Sequence, residues 1–241
     1  MEDLTRWTPP EAPGAMTLEG RYARLEPLSP AHAPALHAAN GPGAELWRWL
    51  GYGPFATEAD YAAWVAGVAG RSDPRFFAIL DRDRPGAGPV GVASLMRIDR
   101  TNGGIEVGHV CFAPPLQRRR AATEAIFLLA DWAFGAGYRR FEWKCDAGNL
   151  PSRRAARRLG FAFEGLFRRH MIVKGRNRDT AWFAMTDQDW PALSSGLRAW
   201  LDPSNFDDEG RQRQPLERFT GSALARAEAQ VRAASERPAA P

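Results

Sequence analysis

The sequence predicts a mixed α/β domain built around a mostly antiparallel central sheet, with a helical extension at its C-terminal end. Two observations lead to this fold class. Three strand-like segments follow one another at 75–81, 89–98 and 105–112, and the turn-rich segments between them favour an antiparallel meander. A strand, a loop, a helix and a further strand then occupy residues 105–147. This order predicts a βαβ crossover whose two strands lie parallel in one sheet.

The elements before the meander are shorter. Residues 1–17 are expected to form an N-terminal arm, and residues 21–30 predict an opening strand that Ser-Pro closes. A short helix interrupted by proline follows at 30–40, and an aromatic loop at 45–55 leads to Thr57. Thr57 is a good N-cap for a helix whose apolar residues share one face: Tyr61, Trp64, Val65 and Val68.

The crossover helix is predicted from Ala122 onward, because its apolar residues recur at helical spacing, and Gly135 and Gly137 end it. A strand is expected at 138–147. A second short helix follows, with Asn149 or Ser152 as its N-cap.

The second short helix ends at Gly160, and a closing pair of strands completes the domain. The predicted core domain covers residues 18–190. Residues 191–241 change in composition and become alanine-rich, which predicts a helical extension with a mobile end.

Composition limits the class of protein. The chain has 241 residues of which 44% are hydrophobic, enough for a real core, and it contains no apolar run of the roughly 20 residues that span a bilayer. The N-terminal segment has neither the basic start nor the apolar centre of a signal peptide, so we expect a cytoplasmic protein without a membrane partner. Two cysteines and four histidines show no zinc-ligand spacing, so no metal is expected.

The basic residues are concentrated in one segment. Residues 118–178 contain 15 of the 32 Lys and Arg residues but only 5 of the 28 Asp and Glu residues. Such a segment indicates an anionic ligand, which could be nucleic acid, a phosphorylated cofactor or an acidic surface. Arginine makes up 30 of the 32 basic residues, so a general preference for arginine on solvated faces explains part of the excess.

Three of these arginines, residues 118–120, stand where the crossover helix is predicted to begin. The N-terminal end of a helix already has partial positive charge and unpaired N–H donors, so each cation there is unfavourable by about 0.3–1 kcal/mol. We therefore expect an anion close to this loop.

Three segments in the predicted core resemble a known family. They are IEVGHVCFAPPLQRRRAATEA (105–125), NLPSRRAARRLGF (149–161) and FEGLFR (163–168). In this order and spacing they resemble the GCN5-related N-acetyltransferases (GNAT), in particular the branch of the ribosomal-protein N-terminal acetyltransferases. The resemblance covers residues 18–190, and it implies the GNAT fold with an acetyl-CoA site on the βαβ crossover.

The resemblance also implies which residues bind acetyl-CoA. In the family a loop at the start of the crossover helix offers its N–H groups to the pyrophosphate, which would be the expected anion. Arg120 stands where the family has glycine, so either the chain is helical at this residue, which we favour, or the cradle is altered. The implied cofactor-binding residues are Val110, Phe112, Gln117, Arg118, Arg119, Arg120, Ala121, Ala122, Asn149 and Ser152.

The arginines of the second short helix occupy i, i+4 positions, where like charges repel, so an anion such as the 3′-phosphate of the cofactor would stabilise them. A solvated outer face is the alternative. The four residues concerned are Arg153, Arg154, Arg157 and Arg158.

Three catalytic residues follow from the resemblance. Glu106 matches a general base, with a structural glutamate held by a cation as the alternative. Ser152 matches a serine near the thioester sulfur, with a simple helix cap as the alternative. In the ribosomal branch a carboxylate that acts as general base follows on the strand after the third segment, whereas this chain has Arg169, His170 and Met171 there. His170 could replace it because its pKa lies near neutrality, or it could be structural.

The implied reaction is direct attack of a primary amine on the thioester in a ternary complex. Trp49 and Tyr52 lie where the family lines its acceptor site, or they belong to the core. Because the carboxylate of the ribosomal branch is missing, a small amine is the favoured acceptor, and a protein N-terminus is the alternative acceptor. A non-catalytic acyl-CoA-binding module is a further option, whereas the absence of nucleic-acid-binding motifs disfavours a nucleic-acid partner. The oligomeric state stays open between a monomer and a homodimer.

Overall fold

The computed structural model describes residues 3–236 and contains eight strands and six α-helices in that range. Short 3₁₀ turns connect several of them. In chain order the elements are β1 (Leu18–Glu19), β2 (Ala23–Pro27), α1 (Ala33–Asn40), α2 (Glu58–Val68), β3 (Arg75–Asp81), β4 (Pro89–Asp99), β5 (Gly104–Phe112), α3 (Arg120–Gly135), β6 (Arg140–Asp146), α4 (Leu150–Leu159), β7 (Ala162–Val173), β8 (Arg176–Thr186), α5 (Trp190–Trp200) and α6 (Glu217–Ser235).

All eight strands join one sheet in the order β1-β2-β3-β4-β5-β6-β8-β7. Every neighbouring pair is antiparallel except β5 and β6, which are parallel and are connected through α3. The predicted mixed α/β fold, the antiparallel meander and the βαβ crossover are therefore confirmed.

The sheet has a hydrophobic core on each face, as the alternation of side chains along a strand requires. In β3, Phe77 and Ile79 pack into the larger core against α3. Phe76 and Ala78 point to the opposite face, where α1 and α2 cover a smaller core. The strand is apolar on both faces because helices cover both of them.

The predicted caps of α2 and α4 agree with the structure, whereas α3 begins at Arg120, two residues before the predicted start at Ala122. The Thr57 side chain accepts the N–H of Asp60 at the start of α2 (3.1 Å). Of the two candidates for the cap of α4, Asn149 is the N-cap residue and accepts the N–H of Ser152 (3.1 Å). Helix α4 ends at Gly160 with φ of 104°, in the left-handed region that suits glycine.

The chain on either side of the predicted core packs onto it. Helix α5 places Trp190 and Leu193 in the larger core, and α6 packs against α5, α4 and β7. In the N-terminal arm, the Glu11 carbonyl accepts the Tyr138 hydroxyl (3.0 Å) and the Pro10 carbonyl accepts Arg100 Nε (2.7 Å).

The predicted mobile end of the chain concerns residues 237–241, which lie outside the described residues. Within residues 3–236, no helix is both long enough and apolar enough to cross a membrane.

Candidate active site

The site forms where β5 and β6 separate. The two strands pair only over Gly104–Val107 and Arg140–Trp143. Just beyond Val107, a β-bulge shifts the register between β4 and β5, and His109 adopts φ of 51°. Bulges bend a strand. Between the separated strands lies a cavity of about 290 Å³. Its lining includes six of the residues predicted for the site: Trp49, Glu106, Val110, Asn149, Ser152 and His170.

The loop before α3 has free N–H donors. Helix α3 begins at Arg120, so the favoured alternative, a helical backbone at this residue, agrees with the structure. Within residues 3–236 no side chain caps this helix. Ala122 donates its N–H to the Arg119 carbonyl (3.1 Å), whereas the N–H groups of Arg120 and Ala121 precede the regular helical bonding. Such a helix start suits a phosphate group.

The positive φ of this loop falls on Arg118, at 61°, two residues before Arg120. Arg118 is exposed and its side chain forms no ion pair with the described part of the chain. Gln117 turns back, and its Nε2 donates to the Phe112 carbonyl (3.0 Å). Gln117 and Phe112 therefore brace the loop through this bond and do not line the cavity.

The other two arginines of the loop are paired within the protein. Arg120 forms two hydrogen bonds with the Asp83 carboxylate (2.8 and 2.9 Å), and its guanidinium lies 3.9 Å from the ring centroid of Tyr22. The hydrogen bond to Asp83 raises the pKa of Arg120. Arg119 Nε lies 3.4 Å from the buried Asp81 carboxylate. These aspartates offset the positive charge at the helix start, so the two side chains do not require a ligand for that purpose.

The start of α4 brings a hydroxyl group to the cavity. Ser152 Oγ accepts the indole N–H of Trp143 in β6 (3.0 Å), which fixes the oxygen beside the separated strands. Since the oxygen acts as the acceptor in this bond, the O–H proton of Ser152 remains available as a donor.

The arginines of α4 divide between two environments. Arg157 pairs with Glu228 of α6 (3.0 Å), and Arg158 donates to Thr123 Oγ1 (3.1 Å). Arg153 donates to the Ala147 carbonyl (3.2 Å), and Arg154 is exposed. Contacts between helices thus account for the positions of Arg157 and Arg158, and Arg154 lies on the solvated face of α4.

Glu106 is the buried carboxylate of the cavity, with 5% of its surface exposed. Its Oε2 atom lies 3.1 Å from Lys144 Nζ and 3.1 Å from Arg97 Nε. Burial raises the pKa of Glu106, and the two cations oppose that effect. Cations therefore do hold this glutamate in place, as the structural alternative expected. Glu106 also lines the cavity, so the two contacts do not withdraw it from the site.

Lys144 connects Glu106 to a second carboxylate. Lys144 Nζ lies 2.7 Å from Glu142, which also contacts Arg140 Nε (2.6 Å). Burial alone would raise the pKa of Glu142, but hydrogen bonds from Lys144 and Arg140 more than offset it and lower that pKa. Lys144 Nζ also lies 3.6 Å from the ring centroid of Trp182. This row of alternating charges fixes the position of Glu106.

His170 reaches the cavity from β7. Its Nδ1 atom lies 3.0 Å from Thr180 Oγ1 of β8. Burial, together with the nearby cations Arg97, Arg178 and Lys144, lowers the pKa of His170. The imidazole is therefore neutral at pH 7, which is the form that can accept a proton.

The two aromatic residues predicted for the acceptor site lie in different places. Trp49 lines the cavity, with Arg48 4.9 Å from its ring centroid. Tyr52 belongs to the aromatic cluster of the smaller core, where it stacks on Trp64 with a centroid distance of 4.5 Å. Its hydroxyl is buried, and burial raises its pKa well above the usual value. Tyr52 thus supports the wall of the site and is absent from the cavity lining.

Sequence reasoning missed three cations that line the cavity: Arg97, Lys144 and Arg178. A signal existed for one of them. Lys144 is one of two lysines in a chain with 30 arginines, and it stands among apolar residues of a predicted strand. Arg97 and Arg178 come from strands distant in sequence, so only the folded sheet brings them together. In residues 3–236 there is no cluster of three or more metal-ligating side chains.

Together these groups form a site for group transfer. The start of α3 offers N–H donors to an anion, and the lining of the cavity includes a carboxylate, an imidazole and a hydroxyl. A general base and a proton donor on opposite sides of a reacting carbonyl are what acyl transfer to an amine requires.

Comparisons with known proteins agree with this arrangement. The family described as acetyltransferase (GNAT) domain matches residues 23–162. A GCN5-related N-acetyltransferase from Brucella melitensis is 47% identical, with a TM-score of 0.87, and the match covers 90% of this chain and 100% of that one. A probable GNAT-family acetyltransferase from Chromobacterium violaceum is 39% identical, with a TM-score of 0.74, over 80% of this chain and 96% of that one.

A more distant structure shows the same fold. It is the microcin C7 self-immunity acetyltransferase MccE, solved in complex with acetyl-CoA and AMP, which is 20% identical with a TM-score of 0.61. The match covers 69% of this chain and 93% of that one. No curated protein matches this chain.

Proposed function

Because the chain belongs to the GNAT acetyltransferase family, we propose that it transfers the acetyl group of acetyl-CoA to the primary amine of a small acceptor, by direct attack in a ternary complex. The observation that carries this proposal is the cavity between β5 and β6, in which Glu106, Ser152 and His170 meet.

The residues around the cavity suit acetyl-CoA, which supplies the acetyl group as an activated thioester. The N–H groups of Arg120 and Ala121 would bind the pyrophosphate, and the exposed Arg118 would add charge to it. Asn149 and Val110 line the cavity where the pantetheine arm would run.

Glu106 is our candidate for the general base. An amine in its ammonium form must lose a proton before it attacks, and a carboxylate of raised pKa is a better acceptor than an exposed one. Burial raises the pKa of Glu106, and the adjacent Lys144 and Arg97 favour its ionised form. Ser152 would donate its hydroxyl proton to the departing thiolate, with Trp143 fixing the orientation of the oxygen.

His170 is the second candidate for the base. When its Nδ1 donates to Thr180, the Nε2 atom keeps a free lone pair. The two candidates differ in a measurable way. Removing the base lowers kcat by about 10²- to 10⁴-fold. Replacing the residue that is not the base lowers kcat far less. The kcat values of Glu106→Gln and His170→Gln, measured side by side, therefore identify the base.

A polypeptide N-terminus is the alternative acceptor. The hairpin of β7 and β8 provides His170 to the cavity and also exposes Leu166 (48%), Phe167 (51%) and Ile172 (83%). Exposed apolar side chains next to an active site are typical of protein-binding surfaces. Mass spectrometry of a peptide library incubated with acetyl-CoA, beside a panel of small amines, separates the two acceptor classes.

The first test is thermal unfolding with and without acetyl-CoA. At 100 times its Kd, a ligand stabilises the native state by about 2.7 kcal/mol. NADH and a short DNA duplex serve as controls, and neither should raise Tm. A shift that is equal for all three, or none with acetyl-CoA, would refute the proposed cofactor.

A further inference from the structure

Three cationic side chains line the cavity together with the carboxylates of Glu106 and Asp146, and the three cations differ in their partners. Arg97 and Lys144 both contact Glu106, and Lys144 also contacts Glu142. The side chain of Arg178 has no acidic partner and no hydrogen bond among residues 3–236, although its backbone pairs with Met171 in the sheet. It is the unpaired cation of the lining.

The guanidinium of Arg178 is partly withdrawn from water. Its Nε atom is buried and lacks a hydrogen-bond partner. A buried donor without a partner is unfavourable, and the cost is larger for a charged group. A carboxylate or phosphate group in the cavity suits this guanidinium, because either one matches the planar donor pattern of arginine.

Arg178 lies along β8 from the catalytic groups. Trp182, Thr180 and Arg178 are two residues apart and therefore share one face of the strand. Trp182 lies beneath Lys144, and Thr180 contacts His170. At about 3.3 Å per residue, the Cα atom of Arg178 lies roughly 13 Å from that of Trp182. Glu106 and Arg178 nevertheless line the same cavity, so one acceptor molecule in it can face both groups.

We propose that the acceptor is an anionic amine, whose carboxylate or phosphate group binds Arg178 while its amino group faces Glu106. This inference rests on the proposed acetyl transfer and specifies its substrate class. The two ends of the acceptor thus match the two charges of the site: the ammonium group faces the carboxylate, and the anion faces the unpaired arginine.

The local charge supports this assignment. Besides burial, the cations Arg97, Arg178 and Lys144 lower the pKa of His170, so positive charge acts on the imidazole from three strands. Lys174 and Arg169 add positive charge further along the hairpin of β7 and β8. The same field attracts an anionic acceptor and raises its local concentration.

The test compares amines that differ only in the anion. Glycine, β-alanine and 4-aminobutyrate are each paired with the corresponding amide, and phosphoethanolamine is paired with ethanolamine. The three amino acids differ in the number of carbons between amine and carboxylate, so the best substrate among them shows which spacing fits the site. The last pair distinguishes a phosphate from a carboxylate. We measure kcat/KM for each pair with the wild type, Arg178→Gln, Arg178→Lys and the control Arg176→Gln, an exposed arginine of the same strand.

We expect the wild type to prefer the anionic member of at least one pair by roughly 10- to 100-fold. Arg178→Gln abolishes the preference through a higher KM for the anionic amine, Arg178→Lys restores it in part, and Arg176→Gln keeps it. The stabilisation by acetyl-CoA remains in all variants. Calorimetric titration of the same pairs into the protein saturated with CoA gives the affinities without turnover.

Equal kcat/KM and equal affinity within every pair would overturn the proposal. A loss of acetyl-CoA stabilisation in Arg178→Gln would also overturn it, because Arg178 would then bind the cofactor. Failure of the proposed function has a different result: the wild type itself would show no stabilisation by acetyl-CoA.

Discussion

Replacement of Lys144 by methionine tests the charge arrangement of the site. Lys144 lies between two carboxylates, 3.1 Å from Glu106 and 2.7 Å from Glu142. Its side chain is 6% exposed, and those of the two glutamates are 7% and 17% exposed. Methionine keeps most of the volume over Trp182 and removes the charge. The variant therefore leaves two buried carboxylates with one cation fewer.

The magnitude follows from the distances. Two unit charges 3.1 Å apart interact by roughly 5 kcal/mol at an effective dielectric constant of about 20. Part of this energy offsets the cost of burying the lysine, so we expect a loss of about 3–5 kcal/mol in the free energy of unfolding at pH 7.5. Arg97 does not replace the lost charge, because its side chain is 47% exposed and screened by solvent.

The sign of the pH dependence follows from Glu106. Burial already raises its pKa in the folded state, and removal of Lys144 raises it further. In the unfolded chain the carboxyl titrates near its ordinary pKa of about 4.3. The native variant therefore binds a proton more readily than the unfolded chain does, and its deficit shrinks as the pH falls towards 5. If Glu106 is the base, the acidic limb of the kcat profile moves up by at least about one pH unit.

Urea unfolding at pH 7.5 and pH 5 measures both effects. Lys174→Met is the matched control, because Lys174 is the other lysine of the chain and, among residues 3–236, its Nζ donates only to the Trp47 carbonyl (2.9 Å). The control is expected to show the same stability change at both pH values. A deficit in Lys144→Met below about 1 kcal/mol, or one that does not decrease at pH 5, refutes the electrostatic reasoning.

Four further substitutions have expected outcomes that differ in kind. Glu106→Gln should lower kcat by about 10²-fold or more while acetyl-CoA still raises Tm, and unchanged turnover would remove Glu106 as the base. Gly160→Ala should cost about 1–3 kcal/mol in urea unfolding, because φ is 104° and the new Cβ would lie 2.5 Å from Leu193 Cδ2. Gly67→Ala, within α2 and with open space around it, should instead stabilise by about 0.5–1 kcal/mol. Asn149→Asp should keep the cap of α4 and its stability but weaken acetyl-CoA affinity, and equal affinity would leave the residue with a structural role alone.

Much of the fold could be predicted from local sequence signals. Thr57 caps α2, and Gly160 ends α4, as their residue types require. The order of strand, loop, helix and strand was sufficient to predict parallel pairing of β5 and β6, because a crossover connection permits that arrangement. The sequence did not predict that the pairing stops at Val107, since the β-bulge depends on contacts between β4 and β5.

The candidate site was predicted in part. The resemblance to the GNAT family pointed to Glu106, Asn149, Ser152 and His170, and the folded chain brings all four to one cavity. Tyr52 joined the aromatic cluster instead, because its neighbour Trp64 offers a stacking partner that a linear sequence does not reveal.

The chain's own order of residues determined the elements, the crossover and the basic helix start, because caps, glycine stops and hydrophobic periods act over a few residues. Tertiary structure alone decided how the charges pair. Arg120 meets Asp83 from another loop, Lys144 lies between two carboxylates, and Arg178 is left without one. Coulomb energies depend on distance in space and on burial, and both are set only when the strands of the sheet have assembled.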